Sequence, residues 1–98
     1  MTEIEAYEYV IQLYPKCGLK TVAVFGMDIT PYLKHGFRDV QYQPKHGLFD
    51  CVIFTADCDL NPYLHVTKGG ILITDDNVYS NYFIKIHSGK LNAYKRKA

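Results

Sequence analysis

Four aspartates follow two apolar runs of the sequence, and together they could carry out acid–base chemistry or hold Mg²⁺. They are Asp57, Asp59, Asp75 and Asp76. If the two runs are neighbouring parallel strands, these carboxylates lie at the carboxyl ends of the strands, where open α/β sheets bind ligands. Carboxylate oxygens suit both roles. We favour a simpler interpretation, in which they cap helices and solvate loop ends, because Asp is common in such loops.

Histidine and cysteine spacing gives no sign of a metal centre. The four histidines and three cysteines match neither a zinc-ligand pattern nor a disulfide framework, so we predict no metal site. Cys51 lies in an apolar run and is predicted to be a small buried residue. Cys58 has no histidine near it in sequence to activate it as a nucleophile. This cysteine usage is typical of a reducing compartment, and we expect a cytoplasmic protein.

Charge and composition exclude few classes of partner. The formal net charge is +1, which gives no indication of nucleic acid, although the last residues are basic. We interpret those lysines as protection of an edge strand rather than as a nucleic-acid surface. The acidic N-terminal segment does not resemble a signal peptide, and no apolar run is long enough to cross a bilayer. Nine tyrosines without a tryptophan indicate half-buried packing positions or, alternatively, a tyrosine-rich binding face.

The elements that must position these residues follow from apolar spacing. The 98 residues predict one domain, 1–98. Thr2 and Glu5 form a capping box that predicts a helix over 3–14. Further helices are predicted from residue 30 to Gly36 and over 59–66, with 68–70 as a turn. Strands are predicted over 21–25, 40–42, 49–56, 71–74, 82–86 and 91–95.

This order of elements predicts an α/β fold. Alternating strands and helices are typical of a mostly parallel sheet with right-handed crossovers. Ser88-Gly89 joins the last two strands into a C-terminal antiparallel hairpin. The fold is therefore expected to contain about six strands and three helices. One hairpin strand should be an unpaired edge, and a two-fold homodimer through this edge or through the helix faces is one expectation.

Several segments resemble class I S-adenosylmethionine-dependent methyltransferases. The family's fourth strand is similar to Phe49-Asp50-Cys51-Val52-Ile53-Phe54, and its Gly-Gly turn into the fifth strand is similar to residues 65–73. Residues 14–26 resemble the helix and first strand before the cofactor loop, and the hairpin over 82–95 matches the family's last two strands. The resemblance covers most of the chain and implies a Rossmann-like fold.

The family's cofactor loop differs at several positions here. Val24 stands where the family has an acidic residue, and the loop Phe25-Gly26-Met27-Asp28 has one glycine of the usual G-x-G. Gln41 or Gln43 stands where the family binds ribose with a carboxylate. One helix–strand unit is missing between residues 42 and 49. The resemblance therefore implies a shortened, degenerate, non-catalytic domain without a cofactor, which binds another macromolecule, most simply a protein, as an accessory or viral protein.

Two alternatives stay open. The first is a minimal S-adenosylmethionine-dependent methyltransferase or nucleoside-binding protein that uses Gly26, Asp28 and Asp57 to bind the cofactor. The second is a structural subunit that self-associates through the hairpin edge. Asn61-Pro62-Tyr63 partly resembles the D/N-P-P-Y/F motif of amino-methyltransferases, but it lacks the second proline and suits a helix start better.

Overall fold

The computed structural model describes residues 1–55 and 61–97. Asp57, Cys58 and Asp59 lie outside the described residues. The elements are α1 (Glu3–Leu13), β1 (Cys17–Gly26), α2 (Thr30–Leu33), β2 (Phe37–Tyr42), β3 (Phe49–Thr55), a 3₁₀ helix (Pro62–His65), β4 (Val66–Thr74), β5 (Phe83–His87) and β6 (Asn92–Arg96).

The strands form one mixed sheet. Its order is β2-β1-β3-β4-β6-β5, and the first four strands are parallel. β6 is antiparallel to both β4 and β5. The predicted α/β fold with six strands and a C-terminal antiparallel hairpin is confirmed for the described residues. From β1 the chain turns to β2 on one side and later to β3 on the other, so the strand order reverses at β1.

The three central strands carry the core. β1, β3 and β4 are adjacent and parallel as predicted, with Val24 opposite Ile53 and Ile53 opposite Ile73. These three side chains are fully buried. One face of the sheet packs on α1 through Ala6 and Val10. The apolar runs lack alternation because both faces of these strands are covered.

The prediction of three helices is matched only in part. α1 begins at the predicted capping box, where Thr2 Oγ1 accepts from the Glu5 N–H at 3.2 Å. α2 is a single turn, because only four residues lie between Pro31 and Gly36 and β2 begins directly afterwards. The third helix is a short 3₁₀ segment, because β4 already begins at Val66. Within the described residues, no helix is long and apolar enough to cross a membrane.

The predicted turn at residues 68–70 is also wrong. Val66–Thr74 is one strand, and its pairing with β3 shifts between the Phe49–Val66 and Cys51–Ile71 pairs. Gly69 adopts φ 73°, which suits glycine. A Cβ on Gly70 would lie 2.8 Å from the Thr67 carbonyl oxygen. These glycines therefore permit an irregularity within a strand, not a turn before one.

Cys51 makes stability sensitive to alkaline pH. Burial raises the pKa of its thiol, and the Asp50 carboxylate raises it further. The unfolded chain ionises this thiol near about pH 8.5 and the folded protein does not. The free energy of unfolding should therefore fall above that pH, with a contribution from this thiol of up to about 1.4 kcal/mol per pH unit. Urea unfolding at pH 7.5 and 9.5 should show a smaller pH difference for Cys51→Ala than for the wild type. Equal differences would contradict this account.

Candidate functional site

The crevice at the end of β1 is where this sheet would bind a ligand, because ligands bind outside the carboxyl ends of strands where the order reverses. Gly26 ends β1 with φ 83°. Its N–H donates to Gln43 Oε1 at 3.1 Å, and its carbonyl oxygen accepts from the Tyr42 hydroxyl. Both backbone groups of Gly26 are therefore bonded to the protein's own side chains. Val24, at the position where the family has an acid, is fully buried.

Hydrogen bonds within the protein also fix the loop after Gly26. The Met27 N–H donates to the Thr55 carbonyl oxygen at 2.9 Å. Asp28 Oδ1 accepts from the Thr30 N–H at 3.0 Å and from the Thr30 hydroxyl at 2.6 Å. Asp28 therefore caps the turn that begins α2, a common use of Asp in loops. The structure brings Gly26 and Asp28 to one crevice, whereas Asp57 lies outside the described residues.

Thr55 lies at the same crevice, opposite Gly26 in the sheet. It is 2% exposed, and its hydroxyl has no hydrogen-bond partner among the described residues. A buried hydroxyl without a partner costs about 1–3 kcal/mol. The residues that follow Thr55, 56–60, lie outside the described part of the chain.

The predicted carboxylate cluster is described only in part. Asp75 and Asp76 follow β4 and are exposed, and the Asp76 N–H donates to Thr74 Oγ1 at 3.1 Å. Asp57 and Asp59 lie outside the described residues. Within residues 1–55 and 61–97, no three His, Cys, Asp or Glu side chains lie close enough to hold a metal ion. The two described carboxylates are exposed in the segment after β4.

An aromatic groove lies on the face of the sheet opposite α1. Its volume is 560 Å³, within the range of about 300–1,000 Å³ that is typical of ligand pockets. The 3₁₀ helix, the segment after β4 and the β5–β6 hairpin form its walls. The residues that line this aromatic groove are Tyr63, Leu64, Asn77, Val78, Tyr79, Ser80, Tyr82, Phe83 and Arg96.

Hydrogen bonds hold one wall of the aromatic groove in place. The Val78 N–H donates to the Tyr94 hydroxyl at 3.0 Å, and Asn92 Nδ2 donates to the Asp76 carbonyl oxygen at 3.1 Å. On the opposite wall, the rings of Tyr63 and Phe83 meet edge to face at 6.2 Å. Burial raises the pKa of Tyr63, and the Asp76 carboxylate raises it further.

Exposed rings and cations lie together at this groove. Tyr79 is 92% exposed and Tyr82 is 66% exposed. Arg96 donates to the Val66 carbonyl oxygen, and Lys85 Nζ lies 3.4 Å from Asn77 Oδ1 and 5.8 Å from the Tyr94 ring centroid. Sequence spacing did not identify the groove, because its tyrosines come from an irregular segment and a short helix. The sequence feature that indicated such a surface was the count of nine tyrosines.

The described residues form an α/β protein with a six-stranded mixed sheet. Its two candidate surfaces are the crevice at the end of β1 and the aromatic groove. Comparisons of the chain with protein-family models, with curated proteins and with solved structures found no match. The resemblance to methyltransferases therefore stays a prediction based on short motifs.

Proposed function

We propose that this chain is a non-catalytic, methyltransferase-like domain that acts by binding another protein. The proposal is carried by the hydrogen bonds that the protein's own side chains make at the crevice where the resemblance places the cofactor. The N–H and C=O of Gly26 are bonded to Gln43 and Tyr42, and the Asp28 carboxylate is bonded to Thr30. A cofactor that accepted a hydrogen bond from the Gly26 N–H would have to replace the bond to Gln43, and one bound to Asp28 would share that carboxylate with Thr30.

The strand order supports the scaffold part of the proposal. The doubly wound Rossmann order is 3-2-1-4-5-6, and β2-β1-β3-β4 is that order without its third strand. This agrees with the short connection between β2 and β3, where the resemblance implies a missing helix and strand. Fold alone does not give function, so the altered crevice outweighs the retained scaffold.

The aromatic groove supports the binding part of the proposal. Tyrosine is enriched at protein interfaces because its ring packs while its hydroxyl forms hydrogen bonds. Tyr79 and Tyr82 expose most of their surface at the mouth of a groove with apolar walls. We place this binding in the cytoplasm, which is supported by the free thiols of Cys17 and Cys51.

Substitution of the exposed tyrosines tests this proposal. A partner would be captured from extracts of the cells that express the protein, and its affinity would then be measured with purified components. Tyr79→Ser with Tyr82→Ser should weaken binding at least tenfold, because tyrosines are frequent hot spots. Leu19→Ser is the matched control, since Leu19 is 79% exposed and does not line the groove. Equal affinities of the two variants would place the binding surface elsewhere.

A further inference from the structure

β5 is the last strand of the sheet, and its outer edge is open. Within the described residues no strand pairs with β5 on the side away from β6. The Tyr82 carbonyl oxygen accepts from the Lys97 N–H at 2.8 Å, and Lys85 lies opposite Tyr94. Backbone groups in an antiparallel ladder point alternately toward and away from the partner strand. The N–H and C=O of Lys85 therefore point away from β6.

Apolar side chains flank this open edge. Ile84 is 51% exposed and Ile86 is 55% exposed. Because side chains alternate along a strand, Ile84 lies on one face while Phe83 and Lys85 lie on the face of the aromatic groove. The pairing of β5 with β6 shifts register between Lys85 and His87, so this alternation ends at Lys85. Open edges with exposed apolar residues pair readily with another strand, and the lysines that protect such an edge limit this pairing to strands of complementary charge. β5 therefore offers backbone hydrogen bonds together with an apolar contact.

The charged residues of the hairpin itself all have one sign. Residues 82–97 contain no Asp or Glu, and all ten acidic residues of the chain precede residue 77. The basic residues of the hairpin are Lys85, Lys90, Lys95, Arg96 and Lys97. A partner strand that carries carboxylates complements this charge, whereas a basic strand would be repelled.

We infer that β5 is a strand-addition site for an extended acidic segment of a partner protein, in which apolar and acidic side chains alternate. This inference rests on the proposed function and names the chemistry of its partner. The apolar side chains of the incoming strand would contact Ile84, which is half exposed on the face opposite Lys85. Its carboxylates would lie on the face of Lys85. Strand addition obtains affinity from main-chain hydrogen bonds and specificity from alternate side chains.

A short peptide tests this site. The probe is a fluorescein-labelled, end-blocked octapeptide of alternating Val and Glu, with a Val–Lys octapeptide as its control, and fluorescence anisotropy measures binding. We expect saturable binding of the Val–Glu peptide, with at least tenfold weaker binding of the Val–Lys peptide. Lys85→Gln removes the charge only, whereas Lys85→Pro also removes the outward N–H. Proline is tolerated where the N–H of an edge strand faces solvent. Lys85→Pro should therefore bind at least tenfold more weakly than Lys85→Gln.

A second arm does not depend on the folding of a variant. Two Val–Glu peptides are N-methylated, one at its valines and the other at its glutamates. Because alternate N–H groups of an added strand face β5, one methylated peptide should lose binding and the other should keep it. The inference would be overturned if both N-methylated peptides bound equally well, or if the Val–Lys peptide bound as tightly as the Val–Glu peptide. It would also be overturned if oligothymidylate displaced the labelled probe more strongly than unlabelled Val–Glu peptide does. So would a dimer in sedimentation equilibrium that Lys85→Pro dissociates, since a second copy would then occupy the edge. If the Val–Glu peptide does not bind but Tyr79→Ser with Tyr82→Ser still weakens binding of the captured partner, only the strand-addition inference fails and the proposed function stands.

Discussion

Ile53→Ala is expected to lower the free energy of unfolding by about 2–4 kcal/mol. Ile53 is fully buried in β3, with Val24 of β1 on one side and Ile73 of β4 on the other. Truncation removes its buried methyl groups and leaves a cavity that neighbouring strands close only partially. Urea unfolding monitored by circular dichroism measures the change.

Ile84→Ala is the matched control for this experiment. The same atoms are removed, but from a side chain that is 51% exposed on an edge strand. The expected loss is below about 1 kcal/mol, because substitutions at exposed positions usually have small effects. If both variants lost equal stability, β3 would not be the central strand of the core.

The centre of this fold could be predicted from the sequence because its signals are local. Continuous apolar runs identified β1 and β3, and the Thr2–Glu5 capping box located the start of α1. The extent of β4 could not be predicted, because a Gly-Gly pair such as Gly69-Gly70 is equally compatible with a turn and with an irregular strand. The length of α2 depends on where β2 begins to pair, which is a tertiary effect.

The candidate sites were predicted less completely. The sequence placed Gly26 and Asp28 at the end of β1, and the structure agrees. The bonds from Gln43 and Tyr42 to Gly26 depend on the pairing of β2 with β1, which local patterns do not reveal. The aromatic groove depends on how Tyr63, Tyr79 and Tyr82 converge after folding.

Binding of S-adenosylmethionine is expected to be millimolar or weaker. The resemblance implies a cofactor held by an acidic residue of the first strand, by close backbone at a glycine loop and by a carboxylate on the ribose. Here Val24 replaces the first acid, and a glutamine replaces the ribose carboxylate. A hydrogen bond to a charged group is worth about 1.5–3 kcal/mol. Loss of two such bonds weakens binding by about two to four decades, at about 1.4 kcal/mol per decade.

Isothermal titration calorimetry with S-adenosylmethionine, and separately with its demethylated product, tests the central claim that this domain works without the cofactor. The wild-type protein is titrated with each ligand up to millimolar concentration. We expect no saturable heat for either ligand, because Val24 and a glutamine stand where the resemblance implies two carboxylates, and the Gly26 N–H is already bonded to Gln43. A dissociation constant in the low micromolar range would contradict the proposed function and favour the minimal methyltransferase, with Gly26, Asp28 and Asp57 as its first residues to substitute.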